Sequence, residues 1–155
     1  MTVPRTSVVA AALLCVSALF APRSYAADPC QLEISGNDQI QYDKKELAVP
    51  ATCKQITLTL HHTGKLPKEA MGHNWVLTQA ADLQAVATAG MGAGIANNYI
   101  QPGDKRVIAS TKTIGGGETT SVTFSSSLLK AGGAYKYECT FPGHNALMQG
   151  VFKFG

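Results

Sequence analysis

Alternating apolar and polar residues predict a series of short β-strands along the chain. The clearest alternation covers residues 55–61, where Ile56, Leu58 and Leu60 share one face. Successive side chains of a strand point to opposite faces, so this pattern is typical of a strand with one buried side. Further predicted strands cover residues 31–37, 40–42, 47–49, 71–77, 107–111, 121–124, 134–139 and 151–154.

One segment departs from this alternation and predicts a helix. Residues 80–91 are rich in Ala and Leu and contain no Pro, and Asp82 suits the first turn of a helix. The Gly-rich run at residues 90–94 is expected to end it. Turns containing Gly or Pro separate the strands, and no internal repeat or linker interrupts them. The sequence therefore predicts one all-β domain, an antiparallel β-sandwich or barrel with one short inserted helix.

The N-terminal residues have the features of a secretory signal peptide. Arg5 precedes an apolar run at residues 8–21, which is shorter than a typical membrane span. Small residues at the −3 and −1 positions predict cleavage after Ala26. We therefore interpret residues 1–26 as a signal peptide and residues 27–155 as a single exported domain, with no further apolar run to anchor it in a membrane.

The charge of the chain does not indicate a polyanionic partner. There are 13 basic and 10 acidic residues, a net charge of +3, and loss of Arg5 and Arg23 with the signal peptide would lower it to +1. No basic patch is apparent in the sequence. Nucleic acid is therefore not an expected partner.

The cysteines indicate one disulfide and one remaining thiol. Cys15 lies in the signal peptide, which leaves Cys30, Cys53 and Cys139 in an oxidising compartment. The simplest pairing is Cys30 with Cys53, which closes a short loop and would stabilise the domain by about 3 kcal/mol. Cys139 is then unpaired, and a free thiol there is open to oxidation unless a metal holds it as the thiolate.

The most distinctive chemistry lies near the C-terminus, in the spacing C-x4-H-x3-M. Cys139, His144 and Met148 fall within ten residues, with a Pro-Gly turn between the first two. Thiolate and thioether are soft ligands that favour copper, and imidazole also suits this metal. Two histidines and one cysteine with a weak axial methionine form a blue-copper site. The loop lacks only the second histidine.

His73 is the best candidate for that histidine, because it follows Gly72 at the start of a predicted strand and loops converge at the end of a sandwich. Residues 71–77 (MGHNWVL) and 139–148 (CTFPGHNALM) resemble segments of the azurins, bacterial blue-copper proteins of the cupredoxin family. The resemblance extends over essentially the whole exported domain. It includes the cysteine pair and the stretches at residues 36–39 and 106–109.

The resemblance implies a Greek-key cupredoxin fold that binds one copper ion. His73, Cys139 and His144 would be the equatorial ligands. Met148 would be a distant axial ligand, and the backbone oxygen of Gly72 a second weak axial one.

Two further residues would support this ligand set. Asn74 would join the two ligand loops, and its backbone N–H and that of Phe141 would donate to the Cys139 sulfur. His62 matches a position that carries a titrating histidine in many azurins, but we do not count it as a ligand. Trp75 is interpreted as a core aromatic residue.

The implied function is that of a soluble, monomeric, periplasmic carrier of single electrons, without enzyme activity. Its partners would be redox proteins such as c-type cytochromes or copper-containing reductases, bound transiently through an uncharged patch around the His144 edge. The residues of this apolar patch would be Leu66, Met71, Met91, Phe141, Pro142, Ala146 and Leu147.

Three other functions fit the sequence less well. Copper storage or delivery in the periplasm typically uses Met-rich runs or a C-x-x-C pair, and this chain has neither. An enzyme could use Cys139 and His144 as a nucleophile and base, but no orienting acid is apparent in the loop. A structural zinc site would need a fourth ligand, and methionine is a poor one for zinc.

Overall fold

The structure is a computed structural model that describes residues 1–2 and 28–155. The signal-peptide prediction and its cleavage site fall almost entirely on residues 3–27, outside the described residues. Within the described part of the chain, no helix is both long enough and apolar enough to cross a membrane.

The described residues contain nine strands in two facing sheets. In chain order the strands are β1 (Gln31–Asn37), β2 (Gln41–Tyr42), β3 (Glu46–Val49), β4 (Gln55–His62), β5 (Val76–Gln79), β6 (Ala109–Ser110), β7 (Thr119–Ser125), β8 (Tyr135–Glu138) and β9 (Gln149–Phe154). Sheet A has the spatial order β2-β1-β4-β7, and sheet B has the order β3-β9-β8-β5-β6. The predicted all-β Greek-key sandwich is confirmed.

The strand pairing is antiparallel except at two places. β1 pairs with β4 in parallel, and β3 pairs with β9 in parallel. The first arises because the chain leaves sheet A after β2, forms β3 in sheet B, and returns to sheet A as β4. Parallel neighbours require such a crossover connection, whereas antiparallel strands can be joined by a tight turn.

The core fills the space between the sheets, as the alternation in β4 predicts. Ile56, Leu58 and Leu60 are fully buried, while Thr57 and Thr59 on the other face bond to hydroxyl groups of β7. Sheet B contributes large aromatic residues, and the indole of Trp75 packs against rings of both sheets. These rings are Tyr137, Phe124 and Phe152.

A helix covers the outer face of sheet B. It is α2 (Leu83–Ala93), the second of two α-helices in the described residues, and it contacts β5 and β8. The helix predicted for residues 80–91 begins at Leu83, runs through Gly90 and stops at Gly94, whose φ of 70° belongs to the left-handed region. Gly90 is buried in α2, and a Cβ there would overlap the carbonyl oxygen of Tyr99.

The strand predicted for residues 71–77 begins only at Val76. Met71 instead ends a short helix, α1 (Lys68–Met71), which the sequence did not predict. His73, Asn74 and Trp75 are all fully buried, so this segment lacks the alternating exposure of a half-buried strand.

The predicted disulfide between Cys30 and Cys53 is present, and Cys139 is a buried free thiol. The bridge joins the residue just before β1 to the turn before β4. It therefore lies at the beginning of the parallel β1–β4 pair, and its two cysteines are 23 positions apart in the sequence.

Candidate metal centre

The first half of the site is the segment between α1 and β5. His73 forms an isolated antiparallel bridge with Ile114, in which each residue's N–H donates to the other's carbonyl at 3.0 and 2.9 Å. This bridge fixes the backbone on both sides of the His73 side chain. The imidazole is fully buried.

The second half is the loop from Cys139 to Met148. The N–H of Cys139 donates to the Met148 carbonyl at 2.9 Å, which closes the base of the loop. The N–H of Met148 in turn donates to the His144 carbonyl at 2.8 Å. Gly143 permits the turn before His144 because its φ is 82°. The loop therefore holds these three side chains through its own backbone.

The two halves bring three donor atoms together. Sγ of Cys139 lies 4.0 Å from Nδ1 of His73 and 3.7 Å from Nδ1 of His144, and the three atoms all lie within 4.8 Å of one another. The carbonyl oxygen of Gly72 lies 3.9 Å from the same sulfur. Cys139 and Met148 are fully buried, and His144 is 3% exposed.

The ring of His73 is oriented by residues at the end of β1. Its Nε2 lies 2.9 Å from the Asn37 carbonyl, and because a carbonyl can only accept, Nε2 carries the proton. Nδ1 is then the nitrogen with a free lone pair, and it faces Cys139. Buried metal-binding histidines are commonly oriented in this way by a carbonyl at the other nitrogen.

A glycine allows this close packing. A Cβ at Gly36 would lie 2.8 Å from Cδ2 of His73 and 3.2 Å from Cε of Met148. Any larger residue would push into both side chains. Gly36 and Asn37 were not predicted as site residues, although the stretch at 36–39 carries part of the family resemblance and could have indicated them.

His62 lies behind His73 and is not placed as a ligand. The two rings stack with their centroids 4.3 Å apart. Nε2 of His62 lies 2.8 Å from the carbonyl of Met71, and its Nδ1 accepts from the Gly64 N–H at 3.1 Å. Both ring nitrogens are thus occupied, and His62 supports the ring of His73.

Burial keeps both histidines of the cluster neutral. It lowers the pKa of His73 and of His144 to about 4. For His144 the neighbouring rings of His73 and His62 lower the pKa further, whereas for His73 the hydrogen bond to Asn37 partly opposes the shift. Neutral imidazole is the form that binds a metal.

Burial has the opposite consequence for the thiol. It raises the pKa of Cys139 to about 12, although backbone N–H groups of Asn74 and Phe141 act to lower it. These N–H groups favour the thiolate because they donate to a negative sulfur. A metal cation is therefore needed to hold Cys139 deprotonated at neutral pH.

Asn74 links the two halves of the site. Its side-chain oxygen accepts from the Thr140 N–H at 2.9 Å, and its Nδ2 donates to Oγ1 of Thr140 at 2.7 Å. The same Nδ2 also donates to the Asn98 carbonyl at 2.7 Å, and the Tyr42 hydroxyl donates to the Asn74 carbonyl. The segment carrying His73 is thereby tied to the strand end that carries Cys139.

The residues of the apolar patch differ in exposure. Leu147 is 57% exposed, Met91 48% and Leu66 42%. Phe141 is buried, with its ring 4.5 Å from that of His144, and Met71 is half-buried. Pro142 and Ala146 are exposed.

Comparison with known proteins agrees with this geometry. Residues 28–154 match the model of the copper-binding proteins of the plastocyanin/azurin family. The chain belongs to this family. Azurin-1 of Alcaligenes xylosoxydans xylosoxydans is 59% identical over 124 residues, which cover 80% of this chain and 96% of that relative. The azurin of Pseudomonas aeruginosa is 52% identical over 141 residues, 91% of this chain and 94% of the relative.

A solved structure shows the same relationship. The azurin Az-iso2 of the obligate methylotroph Methylomonas sp. strain J superposes with a TM-score of 0.79 at 46% identity, covering 81% of this chain and 98% of that one. The chain is thus an azurin-type cupredoxin that binds one copper ion. The buried cluster fits that ion because it combines one thiol with two neutral imidazoles and a thioether, the donor set that copper prefers.

Proposed function

We propose that this protein is a one-electron carrier whose copper is held by His73, Cys139 and His144. Met148 would supply a thioether, and the Gly72 carbonyl a further weak contact. The observation that carries the proposal is the convergence of Sγ of Cys139 with Nδ1 of both histidines inside the fold, where both imidazoles are neutral.

The ligands are held by the fold rather than by the metal alone. Copper, when bound, would supply a one-electron couple between its cuprous and cupric forms. The backbone bridge at His73, the bond between Nε2 of His73 and Asn37, and the Asn74–Thr140 bonds restrict movement of the ligands. A site that moves little when its charge changes is suited to rapid electron exchange.

Electrons would enter and leave at His144 through the apolar patch. His144 lies in the loop between Cys139 and Met148, beside the ring of Phe141. Leu66, Met91 and Leu147 are apolar and exposed, so a partner can meet them with little desolvation of charge. Small contacts of this kind suit transient complexes with redox proteins such as c-type cytochromes or copper-containing reductases.

The compartment and domain structure follow from the same proposal. Residues 1–26 would be removed as a signal peptide during export, and residues 27–155 would function as a single monomeric domain in the periplasm. The Cys30–Cys53 disulfide supports an oxidising compartment. The N-terminal sequence of the exported protein, with Ala27 as its first residue, tests this part.

Burial of the site argues against the other functions. Storage or delivery of copper needs ligands that a partner can reach, and His73, Cys139 and His144 are at most 3% exposed. A nucleophilic cysteine needs a lowered pKa, whereas that of Cys139 is raised to about 12. We therefore propose no enzyme activity for this pair.

The visible spectrum tests the ligand assignment directly. Addition of cupric ion to the purified protein should give an intense blue colour, because the Cys139 thiolate would then donate charge to the metal. Cys139→Ser should abolish the colour even where copper still binds, and His73→Gln should weaken or abolish it. His61→Gln is the matched control, since His61 bonds to Thr119 on the outer face of sheet A. A colourless wild-type protein would refute the proposal.

A charge placed in the apolar patch tests the exit route. Met71→Lys should slow electron exchange between two copies of the protein and with partners, because the charge would have to be buried unpaired. Gln55→Lys adds the same charge at the far end of β4 and should leave the exchange rate unchanged. Equal rates for both variants at low salt would mean that electrons leave elsewhere.

A further inference from the structure

Two consecutive residues after α2 have a backbone conformation that side chains disfavour. Asn98 and Tyr99 have φ values of 55° and 54°, in the left-handed region. Asparagine tolerates this region, whereas a tyrosine there is unusual. Such strain costs free energy and persists only where the surrounding structure imposes it, often at functional sites.

Several contacts impose this conformation. The N–H groups of Asn98 and Tyr99 donate to the carbonyls of Ile95 and Gly94, both at 2.9 Å. Oδ1 of Asn98 accepts from the N–H of Thr113 at 2.9 Å. The Tyr99 carbonyl packs against Gly90 of α2, so closely that no side chain would fit at residue 90.

The strained pair in turn contacts both halves of the metal centre. The Asn98 carbonyl accepts from Nδ2 of Asn74 at 2.7 Å, and Asn74 ties the His73 segment to Thr140. The Tyr99 ring meets the Phe141 ring edge-on, with centroids 5.0 Å apart. Phe141 packs against His144.

We propose that Asn98 and Tyr99 are positioning residues for the copper centre, through which the segment after α2 fixes the orientation of both ligand loops. The proposal rests on the ligand set proposed above. It assigns a role to the left-handed conformation itself, because in that conformation the Asn98 carbonyl accepts from Asn74 while the Tyr99 ring faces Phe141. Neither residue touches the donor atoms.

Asn98 acts through two separate groups, so its variants separate backbone from side chain. Asn98→Asp keeps an oxygen acceptor for Thr113 and tolerates the left-handed region. Asn98→Gly keeps the backbone conformation but loses that acceptor. Asn98→Ala loses the acceptor and disfavours the conformation, so the carbonyl that holds Asn74 is the most disturbed.

The copper-loaded protein provides the test. Removing a residue that hydrogen-bonds to a metal ligand commonly weakens metal binding 10- to 100-fold. Asn98 is one hydrogen bond more distant from the ligands, so we expect the lower end of this range, with Asn98→Ala releasing copper about 10-fold faster. Its visible band and reduction potential should also shift. Asn98→Gly should show a smaller effect, and Asn98→Asp should behave as wild type.

Tyr99 has a matched pair of variants. Tyr99→Phe keeps the ring that packs on Phe141 and should leave copper release, potential and spectrum unchanged. Tyr99→Leu removes the aromatic edge and should speed release of copper and shift the potential, because Phe141 then loses its support beside His144.

A purely structural role predicts different results. Val86→Ala loosens the packing of α2, because Val86 lies on the buried face of this helix, and it changes neither Asn98 nor Tyr99. If Val86→Ala altered copper release and spectrum as much as Asn98→Ala, or if Asn98→Ala lowered the Tm without changing either, the inference would be wrong. A blue wild-type protein in the same experiment would leave the proposed function intact.

Discussion

Two buried polar regions meet at the end of β8 and differ in how their polar groups are satisfied. Cys139 follows this strand on the core side, where its sulfur faces two imidazole nitrogens. Glu138 precedes it and, by the alternation of the strand, points to the opposite face, under α2. Glu138 is fully buried, and neither of its carboxylate oxygens has a hydrogen-bond partner among the described residues.

The contrast shows that burial alone does not make a functional site. At the metal centre, burial is combined with oriented partners, and it keeps the histidines neutral for binding. At Glu138, burial raises the pKa to about 8 without any compensating contact. The two regions should therefore respond to pH in opposite directions, and variants of each should change stability with opposite signs.

The largest expected effect is acid destabilisation of the copper-free protein. The folded pKa values of His73 and His144 are about 4, below the ordinary value of 6.5. Their contribution to stability is thus complete above pH 6.5 and is lost as the pH falls towards 4. Each of the two groups contributes about 1.4 kcal/mol per pH unit. The free energy of unfolding, measured in urea, should therefore be on the order of 5 kcal/mol lower at pH 4.5 than at pH 7.5.

Two controls accompany this measurement. His144→Gln should roughly halve the loss. Bound copper should raise the free energy of unfolding at pH 7.5 but make it fall more steeply on acidification, because the metal keeps the imidazoles and the thiolate free of protons that the unfolded chain takes up. If the free energy of unfolding fell equally with pH in wild type and in His144→Gln, groups other than His144 would dominate the acid destabilisation.

Removal of the Asn74 side chain should have the next largest effect. Asn74→Leu leaves the Thr140 N–H and the Asn98 carbonyl buried without a partner. Each stranded group costs about 1–3 kcal/mol, so we expect a loss of about 4 kcal/mol in the free energy of unfolding. Asn97→Leu, at an exposed residue of the same region, should lose far less, and equal losses would mean that the Asn74 bonds contribute little.

Glu138 should give effects of opposite sign. Its folded pKa of about 8 lies above the ordinary 4.5, so its contribution to stability is complete below pH 4.5 and is lost as the pH rises through 8. Between pH 5 and pH 8, wild type should lose about 3 kcal/mol relative to Glu138→Gln. Glu138→Leu should be more stable than wild type at pH 7, because it removes an unpaired buried group. Parallel pH curves for wild type and Glu138→Gln would refute this.

The smallest effect belongs to an exposed ion pair. Lys153 and Glu46 lie 2.7 Å apart, but their side chains are 61% and 53% exposed. Lys153→Met should change the free energy of unfolding by less than about 0.5 kcal/mol, since solvent screens such pairs. Urea unfolding at low and high salt measures it, and a larger, salt-independent loss would show that exposure is a poor guide here.

The fold was largely predictable because its strands have one clear apolar face. Residues 31–37 and 55–61 correspond closely to β1 and β4. The two parallel pairings were not predictable, since alternation reports which face is buried but not which strand lies beside it. The start of β5 was predicted too early, because the residues before it are all buried and show no alternation of buried and exposed positions.

The metal centre was predictable only where side chains carry its chemistry. The spacing of Cys139, His144 and Met148 indicates the loop directly, but the Asn37 carbonyl is a backbone group that any residue could supply. Glu138 was equally hard to anticipate. It alternates with buried tyrosines in β8, which is typical of a solvent-facing residue, and the helix that covers it comes from a segment some 50 positions earlier.

The position of β9 has a consequence for how the chain folds. The last of the nine strands in chain order lies inside sheet B, between β3 and β8. Until it arrives, β3 has no neighbour in that sheet and β8 has an open edge, and exposed edges of this kind invite pairing with other chains. Because its partner β3 lies about 100 residues away in sequence, closure of the sheet is a late, long-range event of the sort that slows folding. A chain truncated before β9 should therefore aggregate rather than remain in a native-like state.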